Sequence, residues 1–144
     1  MLKGIDPLIG AELLFVLAQM GHGDTIVVAD ANFPAASVAS RTVHGKALRI
    51  DCDAVRAVSA VLSLLPVDTF DSDPVLTMQV VGDPTAEPDV VSAAKPIFAA
   101  EGVTMTSQER FAFYRSAEQA FAVIATAETR PYGNFIIRKG VITD

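Results

Sequence analysis

The segment Thr25–Ala29, which reads Thr-Ile-Val-Val-Ala, is the sequence feature that most restricts the fold. It is apolar and rich in β-branched residues throughout. Such a run is typical of a strand that is buried on both faces of its sheet. The segment therefore predicts an α/β architecture in which helices cover both faces of a sheet.

Helical and strand patterns alternate along the rest of the chain. Asp6-Pro7 predicts the start of a helix, and Thr106 followed by Glu109 resembles a capping box that would open another. The predicted helices are 7–20, 53–65, 88–98 and about 106–119, and the further predicted strands are 74–81, 120–126 and 134–141. We expect one domain, residues 1–144, built as a three-layer sandwich with a mostly parallel or mixed central sheet.

The apolar content is high, at 51% of residues with a mean hydropathy of +0.39. A membrane-spanning helix needs roughly 18 or more consecutive apolar residues, and the chain has no such run. We therefore expect no membrane partner. The surplus apolar surface is instead expected to be buried between subunits of a homo-oligomer.

The charge and the ends of the sequence narrow the partners and the compartment. The net charge is −6, and the 11 basic residues are scattered, which argues against a nucleic-acid partner. Residues 1–6 lack a charged stretch followed by a long apolar one, so no signal peptide is predicted. The single cysteine, Cys52, allows no internal disulfide, and we expect a cytoplasmic protein.

Two chemically useful side chains flank the predicted strand. His22 lies between Gly21 and Gly23, and Asp30 follows the strand directly. Glycines allow a ligand to approach the backbone closely, and the carboxyl ends of strands in α/β sheets commonly bind ligands. From spacing alone, however, a surface turn at His22 and a loop cap at Asp30 explain the pattern slightly better.

Two later segments also carry candidate binding groups. Arg110 is predicted in the first turn of its helix, where a cation is mildly disfavoured and a ligand could compensate. Tyr132 and Asn134 flank Gly133 in a turn, and they offer the hydroxyl and amide groups that suit sugar binding. Taken singly, a solvated arginine explains the first segment better and an ordinary turn explains the second.

Together, the segments resemble the L-fucose mutarotase/D-ribose pyranase family over nearly the whole chain. The motifs are M-G-H-G-D with D-A-N-F-P, then R-F-A-F-Y, then Y-G-N followed by R-K-G-V-I. The resemblance implies that His22 is a proton donor and that Asp30, Arg110, Tyr132 and Asn134 contact the sugar. The ribose branch carries a histidine where this chain has Arg110, so the resemblance is to the fucose branch. It also implies a ring-shaped decamer for many members.

The implied reaction is the interconversion of sugar anomers by opening and closing of the ring, which requires acid–base groups and no metal or other cofactor. Eight residues separate His22 from Asp30. With most of that segment in a strand, the two side chains would lie on the order of 20 Å apart. We therefore expect a pocket at a subunit interface that draws on two chains.

Three other functions remain open from the sequence. A D-ribose pyranase is the alternative within the family, and a sugar-binding module without catalysis would use the same hydrogen-bonding groups. A metal-dependent hydrolase using His22, Asp24, Asp30 and His44 is weaker, because no recognised metal motif supports it. Acceleration of anomer exchange would separate the enzymes from the binding module.

Overall fold

The computed structural model describes residues 1–144 as a six-stranded sheet with helices on both faces. The helices are α1 (Ala11–Gln19), α2 (Ala35–Ala39), α3 (Ala54–Leu62), α4 (Asp89–Ala100) and α5 (Arg110–Glu118). The strands are β1 (Thr25–Ala29), β2 (Leu48–Ile50), β3 (Val75–Met78), β4 (Met105–Gln108), β5 (Ala122–Thr126) and β6 (Phe135–Arg138).

The sheet is mixed, with the strand order β2-β5-β1-β6-β3-β4. β6 is antiparallel to both β1 and β3, whereas β1 pairs in parallel with β5, β5 with β2, and β3 with β4. Five strands therefore point the same way and β6 alone runs against them. One edge of the sheet, named here the carboxyl edge, collects the ends of those five strands and the start of β6.

Each face of the sheet has its own apolar core, which gives three layers. The larger core joins α1, α3 and α4 to one face through residues such as Val16, Val58 and Phe98. The smaller core joins α2 and α5 to the other face through residues such as Val38 and Phe113. In β1, Ile26 and Val28 face one core and Val27 and Ala29 face the other, and all four are fully buried. The predicted fold class is confirmed.

The clearest local predictions are also confirmed. β1 has the predicted bounds. α3 begins after Asp53, whose side chain accepts a hydrogen bond from the backbone N–H of Arg56, as expected of an N-cap. α4 continues two residues past the predicted end at Phe98 and contains Pro96.

The predicted capping box at Thr106 is wrong. Thr106 lies in β4, and its hydroxyl donates a hydrogen bond to Asp73. Glu109 is itself the N-cap of α5, because its carboxylate accepts from the backbone N–H groups of Phe111 and Ala112. The helix consequently starts at Arg110, and the segment before it completes the sheet.

Several large apolar side chains remain exposed on the chain: Leu2, Phe15, Val43, Phe70, Val81, Phe111 and Ile142. None of the helices combines the length and the apolar character needed to cross a membrane.

Candidate functional site

Asp30 is a buried carboxylate at the carboxyl edge, directly after β1. The residue is only 5% exposed. Its Oδ2 accepts hydrogen bonds from the Gly133 backbone N–H and the Asn134 side-chain amide, both at 3.1 Å. Its Oδ1 accepts from the Asn32 backbone N–H at 3.0 Å. These bonds fix the orientation of the carboxylate, and Oδ1 keeps acceptor capacity for a ligand hydroxyl.

Asn134 forms two hydrogen bonds with Asp30. Its side-chain oxygen accepts the Asp30 backbone N–H at 2.9 Å, while its side-chain N–H₂ donates back to the carboxylate. Asn134 is 3% exposed and lies just before β6, which pairs with β1. The antiparallel pairing of these two strands therefore places the amide beside the carboxylate.

Tyr132 lies in the same turn with an unusual backbone conformation. Its φ is +62°, the only positive value in the chain outside glycine, and such strain tends to cluster at functional sites. The Tyr132 hydroxyl oxygen accepts a hydrogen bond from the Val81 backbone N–H at 3.1 Å. Since the hydroxyl acts there as an acceptor, its proton remains available to a ligand oxygen.

The turn that carries Tyr132 rests on a second buried carboxylate, Glu128. A Cβ at Gly133 would come within 2.8 Å of Glu128 Cγ, so only glycine fits this close approach. Glu128 accepts from the Ala54 backbone N–H at the start of α3 and from the Arg130 guanidinium. The pairing with Arg130 is the main cause that lowers the pKa of Glu128 from 4.5 to about 2.

Arg110 is the first residue of α5, directly after the end of β4. Its guanidinium carbon lies 4.7 Å from the centre of the Phe111 ring. Its Nε is buried and has no hydrogen-bond partner. An orphaned buried donor is costly, and a ligand oxygen would satisfy it.

These four predicted binding residues all lie at the carboxyl edge, although at different strands. Asp30 follows β1, Tyr132 and Asn134 precede β6, and Arg110 follows β4. In the sheet, β3 lies between β6 and β4. The Tyr132 hydroxyl contacts the backbone of Val81, three residues after the end of β3. Hydrogen bonds join Asp30 to Asn134, whereas Arg110 forms no hydrogen bond to either residue.

Two cavities differ in their relation to these residues. A cleft of about 630 Å³ opens beside Asp30 and is also lined by Phe33, Arg49 and Thr126, but by none of the other predicted binding residues. Another, of about 510 Å³, lies between α4 and the strands β3 and β4 and contains none of the predicted site residues. The chemistry of the side chains therefore favours the edge next to Asp30.

His22 lies at the opposite edge of the sheet, before the start of β1. Its side chain is 48% exposed, and its Nε2 is 3.4 Å from Oδ2 of Asp68, whose side chain is 5% exposed. The Phe70 ring meets the imidazole edge-on, with 6.1 Å between the ring centres. The backbone hydrogen bond from Phe70 is the main cause that lowers the pKa of Asp68, and His22 adds to it.

The glycine turn around His22 is anchored to the end of β6. The Gly23 backbone N–H donates to the Lys139 carbonyl at 2.9 Å, and the Gly23 carbonyl accepts from the Arg138 guanidinium at 2.8 Å. Gly23 has a φ of +88°, a conformation that favours glycine. His22 is therefore held on a fixed turn while its ring stays open to solvent.

The length of β1 separates His22 from the four predicted binding residues. A five-residue strand spans about 13 Å between its first and last Cα atoms, and both side chains lie beyond its ends. Within one chain, the structure brings Asp30, Asn134 and Tyr132 to a common edge and keeps His22 away from them.

Sequence reasoning missed three contributors to this arrangement: Asp68, Glu128 and the Val81 backbone N–H. Asp68 lies in a loop with no recognisable motif, and only the isolated bridge between Val67 and Lys139 brings it to His22. Glu128 stands beside the Y-G-N motif, but nothing in the sequence shows that it is buried.

The residues of the hypothetical hydrolase metal site do not converge. His44 pairs with Glu12 at 3.2 Å, Asp24 caps the glycine turn by accepting from the Gly21 N–H, and Asp30 is bound to Asn134. No group of three or more histidine, cysteine, aspartate or glutamate side chains lies close enough together to hold a metal ion.

The chain is thus an α/β protein with a mixed sheet. It has a buried carboxylate–amide pair at the carboxyl edge of the sheet and a half-exposed histidine at the opposite edge. The model of the RbsD / FucU transport protein family matches residues 3–142. The chain therefore belongs to the RbsD / FucU family.

Individual relatives cover the chain almost completely. The L-fucose mutarotase of Haemophilus influenzae is 42% identical, over 98% of this chain and 97% of that protein. The crystal structure of protein Atu2016 has a TM-score of 0.95 and 50% identity, over 99% of this chain and 97% of the other. The fucose mutarotase of Streptococcus pneumoniae, solved with L-fucose, has a TM-score of 0.88 and 34% identity, over 99% and 100% of the two chains.

Proposed function

We propose that this protein catalyses the interconversion of the α and β anomers of L-fucose. The array at the carboxyl edge carries the proposal, because a carboxylate, an amide, a phenol and an unpaired guanidinium together match the hydroxyls of a monosaccharide. Full-length relatives that are named fucose mutarotases support it. Arg110, where the ribose branch has histidine, favours L-fucose over D-ribose.

The reaction needs one acid and one base. The acid protonates the ring oxygen, and the base removes the proton of the anomeric hydroxyl, so the bond from the anomeric carbon to the ring oxygen breaks and an aldehyde forms. Rotation of the aldehyde and the reverse proton transfers then close the ring on the other face. General acid–base catalysis contributes about 10²–10⁴-fold, or about 3–5 kcal/mol of barrier, which suits a reaction that already proceeds slowly in water.

In this proposal, His22 is the acid, and the carboxyl edge binds the sugar. Histidine is the side chain that ordinarily changes charge near neutral pH. Asp30 accepts a sugar hydroxyl and is positioned to act as the base, Asn134 holds it in place, and Tyr132 and Arg110 donate to sugar oxygens.

We further propose that the complete site forms between two copies of the chain in a homo-oligomer, with a decamer as the expected assembly. The His22 of one copy would meet the carboxyl edge of another, because β1 keeps the two apart within one chain. Exposed apolar side chains border both halves of the site: Phe70 beside His22, and Val81 and Phe111 beside Tyr132 and Arg110. Their burial between subunits would exclude water from the sugar.

We also propose that the protein acts in the cytoplasm, because its single cysteine allows no internal disulfide.

Exchange NMR on L-fucose tests the activity. We expect the wild-type protein to accelerate exchange between the anomers, and we expect His22→Ala to reduce the acceleration by about 10²-fold or more while sugar binding is largely kept. Exchange no faster than in buffer would leave only a sugar-binding module. Faster pyranose–furanose exchange on D-ribose than anomer exchange on L-fucose would favour the ribose pyranase instead.

The same assay tests the shared site. His22→Ala and Asp30→Asn chains, each inactive alone, are unfolded together and refolded as mixed oligomers. Random mixing restores both groups to roughly one quarter of the interface sites, so part of the activity should return. Mixed oligomers that stay inactive, although mass spectrometry shows mixing, would contradict a site built from two chains.

A further inference from the structure

We propose that Asp68 is a positioning residue for His22: it holds the neutral imidazole with its proton on Nε2, so that Nδ1 is the nitrogen that exchanges a proton with the sugar. The inference rests on the proposed mutarotase function and assigns an atom within it. Its basis is the placement of a buried carboxylate behind an exposed imidazole.

The geometry separates the two ring nitrogens of His22. Nε2 faces Asp68 Oδ2 at 3.4 Å, whereas the imidazole as a whole is half exposed. Nε2 is therefore the nitrogen next to the carboxylate, and we infer that Nδ1 is the nitrogen left for a ligand. A carboxylate behind a catalytic histidine fixes its tautomer and orientation and stabilises the imidazolium that forms.

Asp68 is itself well held. Its backbone N–H donates to the Arg138 carbonyl at 3.0 Å, and its Oδ1 accepts from the Phe70 backbone N–H at 3.0 Å. Gly140 packs so closely that a Cβ there would lie 2.8 Å from Asp68 Cα. Oδ1 of Asp68 therefore accepts a hydrogen bond from its own loop, and Oδ2 faces His22.

The remaining charged groups near His22 are engaged elsewhere. Asp24 accepts from the Gly21 backbone N–H at 2.7 Å. Asp71 Oδ2 lies 3.1 Å from Nε of Arg138, whose Nη1 donates to the Gly23 carbonyl. Lys139 contributes its backbone carbonyl to Gly23. Asp68 is the carboxylate that faces the imidazole.

The proton balance follows from this orientation. In the doubly protonated imidazole, Nε2–H points to Asp68 and Nδ1–H points to the ring oxygen of the sugar. Transfer of the Nδ1 proton leaves a neutral ring with Nε2–H still facing the carboxylate, and the base takes the proton of the anomeric hydroxyl. Ring closure returns both protons. Asp68 stays ionised throughout and transfers no proton.

The tautomer can be read directly by two-bond ¹⁵N–¹H correlation NMR without any sugar. The chain has 2 histidines, so a His44→Asn variant assigns the signals of His22. At about pH 8.5, where histidine side chains are ordinarily neutral, we expect the Nε2-protonated form in the wild type. In Asp68→Asn, the amide can donate to Nε2, and we expect the proton to move to Nδ1.

Kinetics on L-fucose complete the test. We expect Asp68→Asn to lower kcat by about ten- to a hundredfold with KM changed less than about threefold, since binding groups are untouched. Asp68→Glu keeps the carboxylate and should recover part of kcat. Asp71→Asn is the matched control, because it removes a neighbouring carboxylate that faces Arg138, and it should leave both tautomer and kcat unchanged.

The outcomes separate the two proposals. A wild type that accelerates exchange but carries Nδ1–H, or an Asp68→Asn variant with unchanged tautomer and kcat, would overturn the positioning role alone. A wild type with the Nε2–H tautomer and no acceleration would overturn the mutarotase function. Unchanged thermal unfolding of Asp68→Asn shows that a loss of kcat does not come from a misfolded chain.

Discussion

The two ends of β1 hold their functional side chains in opposite ways. Asp30, after the strand, is 5% exposed and accepts three hydrogen bonds. The side chain of His22, before the strand, is 48% exposed and has one close polar neighbour, Asp68. In the proposed site, the buried end would hold the sugar in one orientation. The exposed His22 would reach a sugar that is bound to another copy of the chain.

The two ends should also differ in how much they contribute to the stability of the folded chain. The Asp30 end draws on β1, β6 and the turn between β5 and β6, so its hydrogen bonds join distant parts of the chain. The His22 ring contributes little to the folded core, because about half of it remains in water. Substitutions at the two ends should therefore affect different measurements.

The largest expected effect on stability is at Asp30. Asp30→Ala leaves the N–H groups of Asn32, Gly133 and Asn134 without their acceptor, and we expect the free energy of unfolding to fall by about 2–4 kcal/mol. His22→Ala should change it by less than about 0.5 kcal/mol while reducing the acceleration of anomer exchange by about 10²-fold or more. Urea unfolding of both variants measures the contrast. Equal losses at the two ends would contradict the division between them.

Acid should weaken the Asp30 end through protonation of Glu128. The folded pKa of Glu128 is lowered from 4.5 to about 2, so its contribution is fully present above about pH 4.5 and is lost as the pH falls towards 2. At about 1.4 kcal/mol per pH unit, the contribution is about 3 kcal/mol. Chemical unfolding from pH 7 to pH 2 measures it.

Glu128→Gln provides the control for the acid effect. The variant keeps the shape of the side chain but removes the charge that pairs with Arg130. We expect lower stability at pH 7 and a smaller decrease between pH 4.5 and pH 2 than in the wild type. An unchanged decrease in the variant would assign the acid sensitivity to other carboxylates.

The sequence predicted several elements whose signals are local, although α1 begins at Ala11 and not after Asp6-Pro7 as predicted. The unbroken apolar run of β1 and the helical pattern that starts at Asp53 depend on neighbouring residues only, and β1 and the start of α3 are present as predicted. The short elements α2, β2 and β4 were missed, since segments of three to five residues gain their stability from the sheet and its neighbours rather than from their own pattern. Thr106 was misassigned for this reason.

In the candidate site too, only the features that depend on a local sequence pattern could be predicted from the residues alone. The position of Asp30 at a strand end followed from the β1 pattern, and the separation of His22 from Asp30 followed from the length of that strand. The partnership of His22 with Asp68 depends on a loop brought in by the Val67–Lys139 bridge, and no periodicity encodes it. The roles of Arg110, Tyr132 and Asn134 came from resemblance to a family, because each looks ordinary alone.

The smallest expected effect distinguishes the two glycines beside His22. Gly23 has a φ of +88° with open space around it, so Gly23→Ala costs only backbone strain, about 1–2 kcal/mol. A Cβ at Gly21 would lie 3.7 Å from Asp24 Oδ2, an ordinary contact, and Gly21→Ala should change stability by less than about 0.5 kcal/mol. Because Gly23 also anchors the turn to β6, its variant should slow anomer exchange more than Gly21→Ala does. Equal stability and equal exchange rates in the two variants would mean that the His22 turn does not need its left-handed residue.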